Sequence, residues 1–348
     1  MIELARGNLL EADAEALVNT VNCIGYMGKG IALQFKQAFP ANFDDYHKAC
    51  KADQVKPGRM FIHQTGKMFH PKYIINFPTK RHWRGKSRLE DIRSGLIALV
   101  EDIKHLGIRS IAVPPLGCGL GGLDWMTVRT MIEDAFRKVP EVSVLLYEPV
   151  GTPKADKMPI GTPRPKMTTA RALFIKLMQQ YSTMAYRLTL LEIQKLAYFL
   201  QEAGEPLRLK YEKGHYGPYA ANLNKVLELM EGHLIRGYGD SQKPDAEIEL
   251  LAGAIETADN FLSDKGSSRN RLEGVANLIA GFETPYGMEL LSSVHWIAVH
   301  DRPRVESEDM AIDRIHEWNP RKRKMFQKNH IRIAWQRLKA QNLPAITP

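Results

Sequence analysis

The sequence predicts an α/β layered sheet over residues 1–149, then a mostly α-helical second domain. Three observations point there. Short apolar runs rich in β-branched residues alternate with segments of helical apolar spacing through the first part. The stretch PVGTPKADKMPIGTPRPK at 149–166 then brings five prolines and no apolar period. Beyond it the apolar spacing is helical almost throughout. The expected organisation is a domain over 1–149, a linker over 150–167 and a helical domain over 168–348.

The elements follow in order. MIELAR reads as a short strand, and ALVNTVN (16–22) as a buried one. GKGIALQFKQAF (28–39) places Ile31, Leu33, Phe35 and Phe39 at helical spacing, with Pro40 as its stop, and a short helix through Tyr46 comes next. RMFIHQT and KYIINFPT read as strands, SRLEDIRSGLIALVEDIKHLG as a long amphipathic helix stopped by Gly107. SIAVPPLG is a strand, LDWMTVRTMIEDAFRKV a helix and VSVLLYE a last strand, an alternation that argues for a layered α/β sheet. In the second half helices are expected at 169–181, 188–203, 218–232, 246–263, 268–281, 286–299, 306–318 and 328–341. LRLKYEKGHYGP has room for a strand or hairpin, and Pro218 reads as a first helical position.

Composition narrows the function. The apolar fraction of 44% and charged fraction of 25% are those of a globular protein. No run of about 18 apolar residues is present to span a bilayer, and the N-terminus lacks the apolar core of a secretory signal. Cys23, Cys50 and Cys118 show neither metal-ligand spacing nor an even framework, which suits a reducing cytoplasm, so no metal and no membrane partner is expected. The net charge of +9 gathers at 80–88 and 321–339, patches that suit a polyanion or are plain solvated surface.

Two glycine-rich loops carry the chemistry. NCIGYMGKGIA (22–32) follows a strand and opens a helix, and PPLGCGLGG (114–122) does the same. Neither has the spacing of a dinucleotide fingerprint or a P-loop. Both offer backbone N–H groups and the freedom of glycine near a ligand phosphate. A third strand end runs into FPTKRHWRGKSR (77–88), dense in cations. Cys23 and Cys118 read as small packing residues, with no adjacent histidine to activate them.

GNLL (7–10), ALVNTVNCIGYMGKGIALQF (16–35), YIINFPTK (73–80) and PPLGCGLGGLDW (114–125) resemble the macrodomain family. More narrowly they resemble the DarG-type branch, which removes ADP-ribose with a lysine and is paired with DarT-type DNA ADP-ribosyltransferase toxins. IQKLAYFLQ (193–201) and HYGPYAANL (215–223) are similar to the Panacea-like domain of such antitoxins. The resemblance implies a three-layer αβα sandwich with a mixed sheet, then a toxin-binding helical domain. It implies an antitoxin that cleaves ADP-ribose from thymidine in single-stranded DNA, without a cofactor. Asn8 and Leu9 would sit at the adenine, Asn8 standing where many relatives carry aspartate. Asn22, Gly28, Lys29, Gly30, Ile31 and Ala32 would wrap the distal ribose. Pro115, Leu116, Gly117, Cys118, Gly119, Leu120 and Gly121 would clasp the diphosphate. Gly121 takes the place of an acid found in the protein-directed lysine branch, and Asp124 reads instead as a helix cap.

Lys80 matches the lysine that performs the chemistry. A neutral amine would attack the anomeric carbon, an ammonium would protonate the departing thymine, and both roles stay open. Arg81 and Arg84 would lower its pKa and a bound diphosphate would raise it. Arg81, His82, Trp83 and Arg84 are candidate DNA contacts, with Trp83 either a stacking platform or a core residue. The acidic segment PDAEIELLAGAIETADNFLSD (244–264) is either a solvated face or an insert for a toxin's DNA cleft.

Overall fold

A computed structural model of the chain describes residues 1–149, 158–182, 188–239 and 245–341. It divides into two compact units, one built on Met1–Arg164 and the other beginning at Pro165.

The first unit is a six-stranded mixed sheet in the order β1-β6-β5-β2-β4-β3. The strands are β1 (Ile2–Ala5), β2 (Ala16–Asn22), β3 (Phe61–Gln64), β4 (Tyr73–Lys80), β5 (Ser110–Val113) and β6 (Ser143–Tyr147). All neighbours pair in parallel except β3, which runs antiparallel to β4. The helices are α1 (Gly30–Ala38), α2 (Pro40–Lys51), α3 (Leu89–Leu106) and α4 (Trp125–Phe136).

Both faces of the sheet are covered, as strand alternation dictates. Ala16 and Val18 of β2 face one core with Phe77, Ile111 and the apolar stripes of α3 and α4. Leu17, between them, joins Ile74, Ala112 and Phe35 of α1 in the opposite core. The expected three-layer αβα sandwich is borne out. Gly95 lets α3 ride close to the sheet, since a Cβ there would lie 2.2 Å from the Phe77 ring. Gly107 ends that helix in the left-handed region, at φ 65°. Buried asparagines tie the central strands together. Asn19 of β2 donates to Asn76 of β4 at 2.9 Å, and Asn76 donates to Asn42 of α2 at 2.7 Å.

The proline-rich stretch falls partly on 150–157, outside the described residues. Further along, Met158 is buried with Leu9, Leu10 and Phe35. Gly161 and Thr162 N–H donate to the Gln37 carbonyl at 2.6 and 3.1 Å.

The second unit is mostly helical. It contains α5 (Thr169–Ser182), α6 (Leu190–Glu202), α7 (Leu223–Met230), α8 (Ala254–Leu262), α9 (Gly266–Ile279), α10 (Pro285–Val299), α11 (Glu308–Trp318), α12 (Pro320–Met325) and α13 (Lys328–Ala340). Two small antiparallel pairs join them: β7 (Tyr211–Gly214) with β8 (Gly217–Ala220), and β9 (Ile235–Arg236) with β10 (Glu249–Leu250). α6 starts with a capping box in which Thr189 and Glu192 satisfy each other's backbone.

The structure corrects two expected helices here. Pro218 lies in strand β8, not at a helix start, because Gly217 at φ +91° turns the chain into a hairpin and helix begins only at Leu223. The helix expected from residue 246 begins at Ala254, since Glu249 and Leu250 pair with β9 and Gly253 at φ +75° breaks the run. α12 was not expected at all. It is a single basic turn started by the Asn319 cap and Pro320 rather than by apolar spacing.

α10 is buried on every side and carries charge inward. Glu289 accepts from Lys322 at 2.8 Å and from Arg321 at 2.6 Å, and Lys322 also donates to Ser293. Lys195 of α6, equally buried, donates to the Pro218 carbonyl at 2.6 Å. Burial and the charge of Lys322 push the Lys195 pKa down to about 7, and burial pushes Lys322 down to about 8. Among the described residues no helix is long and apolar enough to cross a membrane.

Candidate active site

β5, β2 and β4 are adjacent and parallel, so the segments that follow them leave one edge of the sheet. This brings 22–32, 80–88 and 114–122 together. The β2–β4 register shifts after Val21, and Asn22 then pairs with Lys80. The Cys23 thiol donates to the Lys80 carbonyl at 3.4 Å, and burial pushes its pKa up to about 11, away from nucleophilic use.

Asn22 is occupied in shaping its own loop. Its Oδ1 accepts from Ile24 N–H at 3.0 Å and Tyr26 N–H at 3.3 Å, and its Nδ2 donates to the Tyr26 carbonyl. The Tyr46 hydroxyl donates to the Asn22 carbonyl at 2.6 Å. Asn22 therefore builds the turn. Gly25 takes φ +81°, with His47 where a Cβ would point. Gly28 is required differently: a Cβ there would lie 2.4 Å from the Tyr26 ring. Lys29 stands at the N-cap position of α1 without a side-chain capping bond, and Gly30 opens the helix at φ +58°. Ile31 and Ala32 pack against separate cores, and the Gly30 N–H donates to the Gly239 carbonyl at 2.6 Å.

The second loop is tightly folded. Cys118 N–H donates to the Pro115 carbonyl at 3.1 Å, Gly122 N–H to Gly119 at 3.0 Å and Leu123 N–H to Gly117 at 3.1 Å. Leu116 is fully buried in the core below, and Cys118 is half-buried beside it with its pKa raised to about 11 by burial. Gly119 and Leu120 are exposed at the tip. The two glycine loops meet, since a Cβ on Gly30 would be 3.5 Å from the Leu120 side chain. Gly121 admits no side chain: a Cβ would fall 2.2 Å from the Gly117 carbonyl oxygen. An acid at this position is therefore excluded by backbone as well as by sequence. Asp124 caps α4, accepting from Thr127 N–H and hydroxyl, each at 2.8 Å.

Lys80, at the end of β4, reaches across to this loop, and its Nζ donates to the Leu120 carbonyl. Burial holds its pKa below the usual lysine value. Burial is the cause here, rather than the expected arginine neighbours. Arg81 turns away and grips Asp91 on the first turn of α3, with nitrogen–oxygen distances of 3.0 and 3.3 Å.

Trp83 is half-exposed and, among the described residues, lies outside the core clusters of the first unit. Its ring lies 5.6 Å from His82, nearly parallel at 24°, and 5.6 Å from Tyr26 of the first loop. The Arg84 guanidinium lies 4.5 Å from the same ring. Asn8 caps the turn Leu9–Glu11, its Oδ1 accepting from Leu10 N–H at 3.1 Å. Leu9 packs into the core.

Several contributors escaped the sequence reading. Tyr26 had a signal, an aromatic between Gly25 and Gly28 in a ligand-type loop. Asp91 and Tyr46 had none, because their partners are assigned only by the fold.

The chain is similar to proteins of known name. The Macro domain family matches residues 18–132. A DNA ADP-ribosyl glycohydrolase of Thermus aquaticus is 48% identical over 337 residues, 96% of this chain and 92% of that protein. A protein of the same name from Mycobacterium tuberculosis is 40% identical over 353 residues, 97% of this chain and 99% of that one. A DNA ADP-ribosyl transferase–DNA ADP-ribosyl glycohydrolase fusion protein of Thermosipho africanus is 34% identical over 164 residues, 43% of this chain and 42% of that protein.

Proposed function

The chain belongs to the DNA ADP-ribosyl glycohydrolase (DarG) family, and from that premise we propose that it releases ADP-ribose from modified thymidine in single-stranded DNA. The observation that carries the reading is Lys80, an amine delivered by a central strand to the contact point of two glycine loops.

In this reading the bond broken joins the anomeric carbon to a thymine nitrogen. Backbone N–H groups of the loop from Pro115 to Gly121 hold the diphosphate, and the segment from Asn22 to Ala32 surrounds the distal ribose. Lys80 is the reacting group. Its depressed pKa favours the neutral amine, which attacks the anomeric carbon and leaves a lysyl–sugar adduct for water to resolve. The carbonyl of Leu120 takes one amine hydrogen and so orients the lone pair. The closure of position 121 to side chains favours a mechanism with no acid there. Trp83, with His82, Arg84 and Tyr26 around it, is the stacking surface for bases of the strand. Arg81 is given a supporting role, because Asp91 already occupies its guanidinium.

The second unit binds and blocks a DarT-type transferase. In the Thermosipho africanus relative the two activities share one chain by name, which supports a partnership of this kind.

The test uses an ADP-ribosylated thymidine oligonucleotide. Wild type should release free ADP-ribose, and Lys80→Ala should not. Lys80→Ala should still inhibit the transferase. A Lys80→Arg protein with full activity would rule out the amine nucleophile, because arginine stays protonated. ADP-ribose binding without release by wild type would leave a passive reader instead.

A further inference from the structure

We propose that Ser87 is a ligand-binding residue of the second glycine loop, its hydroxyl donating to the diphosphate of bound ADP-ribose. This rests on the reading above, in which that loop holds the diphosphate.

Ser87 closes the basic loop and is 7% exposed. Its N–H donates to the Gly121 carbonyl at 3.1 Å. Its side chain occupies the interior of the turn formed by Gly117 and Gly121. A Cβ at Gly121 would lie 2.2 Å from Ser87 Oγ, and one at Gly117 would lie 3.0 Å from it. Ser87 therefore packs directly against both glycines.

Packing explains the size of the residue but not its hydroxyl. Among the described residues Ser87 Oγ has no hydrogen-bond partner. A buried hydroxyl left unmatched is a standing cost to the free protein, and alanine would fill nearly the same space without it. The side chains of the loop itself supply no strong donor, only the protonated Cys118 thiol and the apolar Leu120. An anion seated on the loop's N–H groups would present the acceptor that Oγ lacks. A serine O–H to a phosphate oxygen is a charge-assisted bond.

The experiment uses the full chain as Ser87→Ala and as Ser87→Cys, which keeps the size but not the strong donor. ADP-ribose affinity should fall about 10-fold or more in both. ADP, carrying the same diphosphate, should lose the same factor. The KM for the modified oligonucleotide should rise while kcat stays within about two-fold, the mark of uniform binding. The melting temperature of free Ser87→Ala should equal or exceed wild type, a result that a structural role would not give. Affinity within two-fold of wild type overturns the proposal, and so does a loss of affinity that comes with a lower melting temperature of the free protein. If wild type itself fails to bind ADP-ribose, both this contact and the reading beneath it fall.

Discussion

Lys80 and Lys195 are both amines whose pKa is lowered by burial, yet they belong to different kinds of place. Lys80 is half-buried at the rim of two glycine loops, where its partner is a loop carbonyl. Lys195 is sealed beneath a hairpin, beside Lys322 and the carboxylate of Glu289. Its shift is the larger, but nothing can reach it. A depressed amine marks a working site only where geometry also supplies access and a ligand cradle. In the second unit the same shift records the strain of housing more cations than carboxylates in a dry core.

Substitutions sharpen this contrast. The largest effect should come from Lys80→Ala, with a kcat loss of about 10²–10⁴-fold on modified oligonucleotide and an unchanged melting curve. Glu289→Gln should do the reverse. It strands Lys322 and Arg321, so the second unit should lose about 3–5 kcal/mol in denaturant unfolding while ADP-ribose release at low temperature persists. Gly121→Ala forces a Cβ onto the Gly117 carbonyl and should cost about 1–3 kcal/mol, read as weakened ADP-ribose binding in calorimetry. Lys195→Met should shift stability least, within about 1.5 kcal/mol, since a buried amine beside Lys322 is replaced by an apolar chain of similar length.

The two lysines should also separate by pH. With Lys80 as nucleophile, the rate should climb as pH rises through its lowered pKa, and a falling profile would assign it to proton donation. Lys195 acts on stability instead. Between about 7 and the ordinary lysine value the unfolded chain holds a proton that the folded one does not. Stability of the second unit should therefore increase across that window, be complete above it and be lost as pH falls toward 7. Unfolding by urea at several pH values checks this, and Lys195→Met should flatten the slope.

Much of the first unit was legible because its signals are local. β-Branched runs, helical spacing and glycine stops placed every strand and helix of the sandwich, and the loops at strand ends followed from parallel order. Lys80 was legible as the last residue of a strand. What escaped was who touches whom. Arg81 reads as a free cation until α3 brings Asp91 beside it. Asn22 shows no sign in sequence that its carboxamide also bonds Ile24 and Tyr26 and shapes its own loop. In the second unit Pro218 looked like a helix start, because a proline fits both that position and a short edge strand. The acidic segment was misread at its beginning because two residues of pairing outweigh a weak helical period.

The asparagine tie between β2 and β4 has a consequence for fidelity. Two parallel strands of apolar residues can slide by one position at little energetic loss, and such a slide turns every side chain to the opposite face. Asn19 and Asn76 sit opposite each other and bond in only one alignment, like the notch on a key. They index the strands three and four places before Asn22 and Lys80, so the Lys80 amine is aimed by a polar pair that never approaches it. An oily replacement of equal volume there would threaten aim before it threatened folding.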